Sequence, residues 1–176
     1  MNNSLEKTAP PSAGLRTSQT IYTHRPTVTI EHQIISLRLA AALLSYSQAG
    51  NLGWILHAPR PLLLSRQEIQ PDIVFISRER RGIIGPSSLY GAPDLVADVV
   101  PPRLNERGFR HKKRLYQSFS IKEYWIADPS TATIQVLLWS EAGYLSAGRF
   151  GKSDRLSSPL LPSLNLRISN VFEAKD

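Results

Sequence analysis

Residues 92–100 read APDLVADVV. A run this apolar, with Gly91 before it and Pro101 and Pro102 after it, has the length and punctuation of a β-strand. Two carboxylates interrupt it, Asp94 and Asp98. An unpaired carboxylate is expensive to bury, so acids in such a run need a partner. Strand side chains alternate, which places Asp94, Val96 and Asp98 on one face and Leu95, Ala97 and Val99 on the other. Upstream, residues 70–77, QPDIVFIS, repeat the pattern and group Asp72 with Val74 and Ile76. Both segments open with Pro-Asp, where the missing proline N–H costs least. If the two strands are neighbours, three carboxylates gather on one face of a sheet. The plainer reading of Asp72 and Asp94 is as turn residues that cap strand ends beside solvent. Asp98 lies deeper in its run and must be paired, protonated or bound to a cation.

Residues 31–50, EHQIISLRLAAALLSYSQAG, place Ile35, Leu39, Ala42, Leu43 and Tyr46 at helical spacing, and Gly50 supplies a stop. WILHAP (54–59), PLLLS (61–65) and IQPDIVFIS (69–77) read as short strands, as do EYWIAD (123–128), TIQVLLWS (133–140) and YLSAGRF (144–150). DPSTAT, residues 128–133, forms the turn between two of them. The tail from Leu164 predicts a last strand and a helical turn. Residues 104–119, LNERGFRHKKRLYQSF, read as a helix with Gly108 a mild weakness. The order helix, strands, helix, strands predicts an α/β or α+β chain with a mixed sheet flanked by helices. Residues 1 to 26, rich in Ser, Thr, Pro and Asn, are expected to form a loose arm, and residues 27–176 a single domain.

The 176 residues contain no cysteine, which excludes disulfides and thiolate metal sites and makes the cytoplasm the expected compartment. No apolar run reaches the roughly 18 to 20 residues of a membrane span, and no short apolar core of a secretory signal opens the chain. Lys and Arg exceed Asp and Glu by 21 to 14, a net charge of +7 that favours a polyanionic partner. GKS at 151–153 does not form a phosphate loop, because Ser146 stands where its first glycine belongs. The four histidines are scattered without metal-ligand spacing. Trp54, Trp125, Trp139 and most tyrosines fall in strand patterns and read as core or interface.

On the helix at 104–119, Phe109, Lys112, Leu115, Tyr116 and Phe119 share one stripe, with Lys112 near its centre. Arg110, Arg114 and Gln117 point elsewhere, as a solvated face does. A lysine on an apolar stripe is usually a snorkelling edge residue. With buried acids immediately upstream, an inward Lys112 has obvious partners. Two or three carboxylates with a lysine suit phosphodiester hydrolysis assisted by Mg²⁺ or Mn²⁺. The lysine then orients a water or stabilises the pentavalent transition state. RERR at 78–81 and RHKKR at 110–114, including Arg110, Lys113 and Arg114, are candidates for contact with backbone phosphates.

The ordered series QPDIVFIS (70–77), GAPDLVADVVPP (91–102), HKKRLYQSFSIKEYWIADP (111–129) and SPLLPSLNLRISNVF (158–172) resembles the Uma-type family of bacterial endonuclease-like proteins. That family belongs to the PD-(D/E)XK nuclease superfamily, and the resemblance runs from about Glu31 to Phe172. It implies a restriction-endonuclease-like core, a divalent cation, DNA as substrate and a homodimer. Asp72 matches the first metal-binding acid, and Asp98 matches the (D/E) position of the next strand. Val100 stands where the superfamily lysine usually is, and the resemblance implies that Lys112 from the following helix takes that role, with Lys113 the runner-up. Asp94 matches a family aspartate. Asp98 replaces the usual Glu, VPPR replaces LSPS after the strand, and Gly108 stands where many members carry an acid. The family's further N-terminal acid has no recognisable counterpart in residues 1–30; Glu31 or His32 could substitute. A catalytically degenerate nucleic-acid-binding or assembly protein on the same fold is the alternative reading.

Overall fold

A computed structural model of the chain describes residues 29–59, 61–64, 67–100 and 106–173. The expected N-terminal arm and the VPPR departure at 100–103, apart from Val100, lie outside the described residues. The first helix, α1 (Ile30–Ala49), starts where Thr29 accepts the His32 backbone N–H on Oγ1 at 3.1 Å. Such a cap satisfies one of the donors that a helix start leaves orphaned. Gly50 closes the helix, as its position in the sequence suggests.

The strands follow the apolar runs closely. In order they are β1 (Gly53–His57), β2 (Leu62–Leu64), β3 (Gln67–Ile69), β4 (Ile73–Ser77), β5 (Leu89–Tyr90) and β6 (Leu95–Val99). After the second helix, α2 (Glu106–Ser118), come β7 (Glu123–Asp128), β8 (Thr133–Leu138), β9 (Leu145–Phe150), β10 (Arg155–Leu156) and β11 (Leu166–Arg167), then the short α3 (Ser169–Phe172). The expected single strand over 69–77 is divided: Ile69 ends β3, and the chain bends through Pro71 and Asp72 before β4. Proline has no N–H for a ladder, so the break falls where pairing is weakest.

Six strands form the main sheet in the order β1-β4-β6-β7-β8-β9. β6 and β7 run parallel and the other neighbours antiparallel, so the sheet is mixed. A parallel pair cannot be closed by a tight turn, and α2 is the crossover between them. Alternation along β4 and β6 splits the core in two. Ile73, Phe75, Leu95, Ala97 and Val99 face α1 and the C-terminal segment, with Trp125, Leu164, Ile168 and Val171. Val74, Ile76 and Val96 face α2 and the small sheet β3-β2-β5, with Leu62, Leu115, Tyr116 and Tyr124. Each fully buried large side chain here contributes roughly 1.5–3 kcal/mol. Gly91, at φ 136°, occupies a conformation that side-chain-bearing residues rarely adopt as the chain passes from β5 towards β6. Among the described residues no helix is long and apolar enough to cross a membrane.

Candidate active site

The antiparallel register of β4 against β6 pairs Ile73 with Ala97, and one step further along both strands Asp72 lies opposite Asp98. The ladder ends there, and the two side chains take over its hydrogen bonds. Asp72 N–H donates to Asp98 Oδ1 at 3.3 Å, and Val99 N–H donates to Asp72 Oδ2 at 2.8 Å. Two acids at adjacent strand ends are thus locked together by each other's backbone.

The same register separates Asp94 from this pair. Asp94 comes just before β6, at the far end of the strand from Asp98. Its Oδ2 accepts Ser77 N–H at 2.8 Å and its Oδ1 accepts Lys122 Nζ at 2.7 Å. Three carboxylates on one face therefore do not gather in one place, because antiparallel strands bring the start of one to the end of the other. Nor does Asp94 cap a strand beside solvent, for its side chain is 0% exposed. Burial would raise its carboxyl, but the Lys122 and Ser77 hydrogen bonds outweigh that and hold it below the ordinary carboxylate value.

Lys112 points inward from α2. Its Nζ donates to Asp98 Oδ1 at 3.0 Å and to the Gln70 carbonyl at 3.1 Å. Leu115 and Tyr116 of the same stripe are buried, and Phe109 and Phe119 pack half-buried beside them. Arg110 and Arg114 lie on the exposed face, and Lys113 is half-buried. Gln117 departs from the expectation of a solvated residue: its Nε2 donates to the Ser140 carbonyl at 2.7 Å, so it lies against the loop after β8.

Three further residues complete the cluster. His32 Nε2 comes within 3.2 Å of Asp72 Oδ1 from the first turn of α1, so of Glu31 and His32 it is the histidine that reaches the acids. Glu31 is exposed. Tyr116 and Tyr124 donate their hydroxyls to Asp98 Oδ2 at 3.3 and 3.1 Å. Burial, and then the Asp98 charge, push both phenols well above their ordinary range, so they remain donors. Asp72 has the opposite balance. Burial would raise it, but the His32 contact, the Val99 N–H and the charge of Lys112 hold it below the usual carboxylate value. The tyrosine hydroxyls escape sequence reading because both residues fit an apolar pattern. His32 carries only the signal of a polar residue in a helix's first turn.

Among the described residues no three His, Cys, Asp or Glu side chains form a metal-binding group by themselves. Asp72 and Asp98 supply hard oxygens side by side, and the Asp72 side chain retains 26% exposure. That donor chemistry fits a hard divalent cation, which is commonly held by one or two carboxylates with water and phosphate completing its shell. Lys112, 29% exposed on the side chain, adds a cation at the same edge.

A family model named Uma2 and described as "Putative restriction endonuclease" matches residues 18–169. A solved structure from Anabaena variabilis ATCC 29413, described as "a putative nuclease belonging to DUF820", superimposes with a TM-score of 0.70 at 15% identity. The alignment covers 82% of this chain and 81% of that one, and at this identity it speaks for the fold. No curated protein matches the chain.

Proposed function

The chain belongs to the Uma2 family, and we propose that it is a divalent-metal-dependent endonuclease hydrolysing phosphodiester bonds in DNA. The observation that carries this reading is the juxtaposition of Asp72 and Asp98 with Lys112 on Asp98 Oδ1 at 3.0 Å. Asp72 and Asp98 are the residues that would hold Mg²⁺ or Mn²⁺. When bound, such an ion acidifies a water and neutralises charge on the scissile phosphate. Lys112 is held at this edge by the Gln70 carbonyl as well as by Asp98, which keeps its ammonium close to where phosphate charge develops. His32 holds one oxygen of Asp72 while Val99 N–H holds the other, fixing the rotamer of the more exposed acid. Arg110, Lys113 and Arg114 on α2, and the arginines of the 3-10 turn Arg78–Ile83, supply positive charge for the phosphate backbone.

The test is cleavage of plasmid, single-stranded and branched DNA with Mg²⁺ or Mn²⁺. Asp98→Asn and Lys112→Ala should each reduce the rate by at least about 100-fold, the size of a lost transition-state charge contact. Undiminished cleavage by both variants would sink the site assignment. DNA binding without cleavage under either metal would favour a non-cleaving DNA-binding protein.

A homodimer is part of the same reading. Ile30, Ile34, Leu37 and Leu44 lie exposed on α1 at intervals of four, three and seven, the spacing with which one helix packs on another. Light scattering should give twice the chain mass, and Leu37→Glu should return it to the monomer value. A monomeric unsubstituted protein refutes the dimer.

A further inference from the structure

Asp98 has both oxygens fully engaged. Oδ1 accepts from Lys112 Nζ at 3.0 Å and from Asp72 N–H at 3.3 Å, and Oδ2 accepts from Tyr124 at 3.1 Å and Tyr116 at 3.3 Å. A carboxylate offers about four lone-pair sites, so any further ligand must displace one of these donors. The donors differ in how readily they yield.

Lys112 sits on a flexible four-carbon stem at a partly exposed edge, and the Gln70 carbonyl gives its ammonium a second seat. It can leave Oδ1 without being stranded. The tyrosines have no such freedom. Both are fully buried, one held by α2 and the other by β7, with their rings packed edge-to-face at 5.0 Å between centroids. Tyr124 is flanked further by Phe109 at 6.1 Å and Tyr144 at 6.0 Å. A phenol turned off Oδ2 would be left in an apolar pocket without a partner, which is costly.

We propose that Tyr116 and Tyr124 are positioning residues that reserve Oδ2 of Asp98, so that a divalent cation meets this acid through Oδ1 alone. The inference rests on the reading of Asp72 and Asp98 as the cation site. Its consequence is a deliberately open coordination shell: a cation met by one oxygen of Asp98 keeps positions for water and phosphate, whereas chelation by both oxygens would use them up. Removing the hydroxyls leaves Oδ2 buried without a donor, an arrangement that a bound cation relieves. The tyrosines therefore weaken cation binding in favour of the coordination that hydrolysis needs.

The experiment titrates Mn²⁺ alone into the full chain and reads the free ion by electron paramagnetic resonance. Tyr116→Phe, Tyr124→Phe and the double variant are compared with the unsubstituted protein and with Asp72→Asn, and folding is checked by near-UV circular dichroism. The double variant should bind Mn²⁺ roughly tenfold more tightly, about 1.4 kcal/mol, and each single variant a few-fold more tightly. Cleavage by the same variants should fall while affinity rises, a split that a purely structural role does not produce. If the double variant does not fold, the single variants decide by the same criterion. Unchanged or weaker Mn²⁺ binding in folded variants, with binding present in the unsubstituted protein and lost in Asp72→Asn, overturns this inference alone. Absence of Mn²⁺ binding from the unsubstituted protein overturns the cation site and this inference with it.

Discussion

Two aspartates mark the two ends of β6, and each has a lysine against it. Asp94 meets Lys122 at 2.7 Å, and Asp98 meets Lys112 at 3.0 Å. Both carboxylates are buried, both accept hydrogen bonds, and both lie on the same face by strand parity. The difference is in what else is present. Around Asp94, Ser77 and Lys122 donate the hydrogen bonds, and Glu79 of the 3-10 turn is an exposed carboxylate whose charge reaches Asp94. Around Asp98 the neighbouring strand delivers Asp72, which stays partly open to solvent. Burial and a lysine are thus common to a closed structural ion pair and to a candidate active site. A second carboxylate, locked beside the first by backbone hydrogen bonds, is what separates them.

A pair of isosteric substitutions, one at each end of β6, carries the largest expected effect. Asp98→Asn should abolish cleavage, with a loss of at least about 100-fold. Asp94→Asn should leave cleavage per folded molecule within about threefold. It should instead lower unfolding free energy by roughly 2 kcal/mol, because a charge-assisted buried contact is lost while Lys122, largely exposed, can turn to water. Cleavage assays and urea unfolding on both variants check this. An Asp94→Asn protein that folds normally but does not cleave would erase the distinction between the two ends.

The sheet and its helices were largely legible in the sequence because they obey simple periods. Parity along residues 70–77 and 93–100 sorted the two cores correctly, and the helical stripe through Phe109, Lys112 and Tyr116 pointed Lys112 inward. Two-residue strands such as β5 and β10 are too short to show a period and were not foreseen. The family match begins at residue 18, inside the stretch read as a loose arm. Within the site, Asp72, Asp98 and Lys112 could be named because acids and a lysine contradict their apolar surroundings. The hydroxyls of Tyr116 and Tyr124 contradict nothing, so only the packing of α2 on β7 reveals where they point. Glu123 was missed for a different reason. It opens its strand as an ordinary polar residue would, yet it is buried and accepts from Trp125 Nε1, Ser158 Oγ and Leu160 N–H at 2.8, 2.8 and 2.6 Å. Two of those donors lie more than thirty residues downstream, a distance over which local patterns carry no information.

The acid limb of stability offers a smaller and more selective test. Asp94 keeps its charge to lower pH when folded than when unfolded, since Lys122 and Ser77 outweigh the burial that would raise it. The unfolded chain therefore takes up a proton near the ordinary carboxylate value of 3.8, before the folded chain does. The stabilisation this group gives is fully present above that value and is lost as pH falls through the lower folded value. Unfolding free energy measured in urea from pH 5 to pH 2 should fall steadily over the lower part of that range. Asp94→Asn should flatten part of the fall, since the amide does not titrate, and leave the rest, to which Asp72 contributes by the same sign. If the two proteins fall with the same slope, the Asp94–Lys122 pair is not the structural anchor that sets this end of β6 apart from the other.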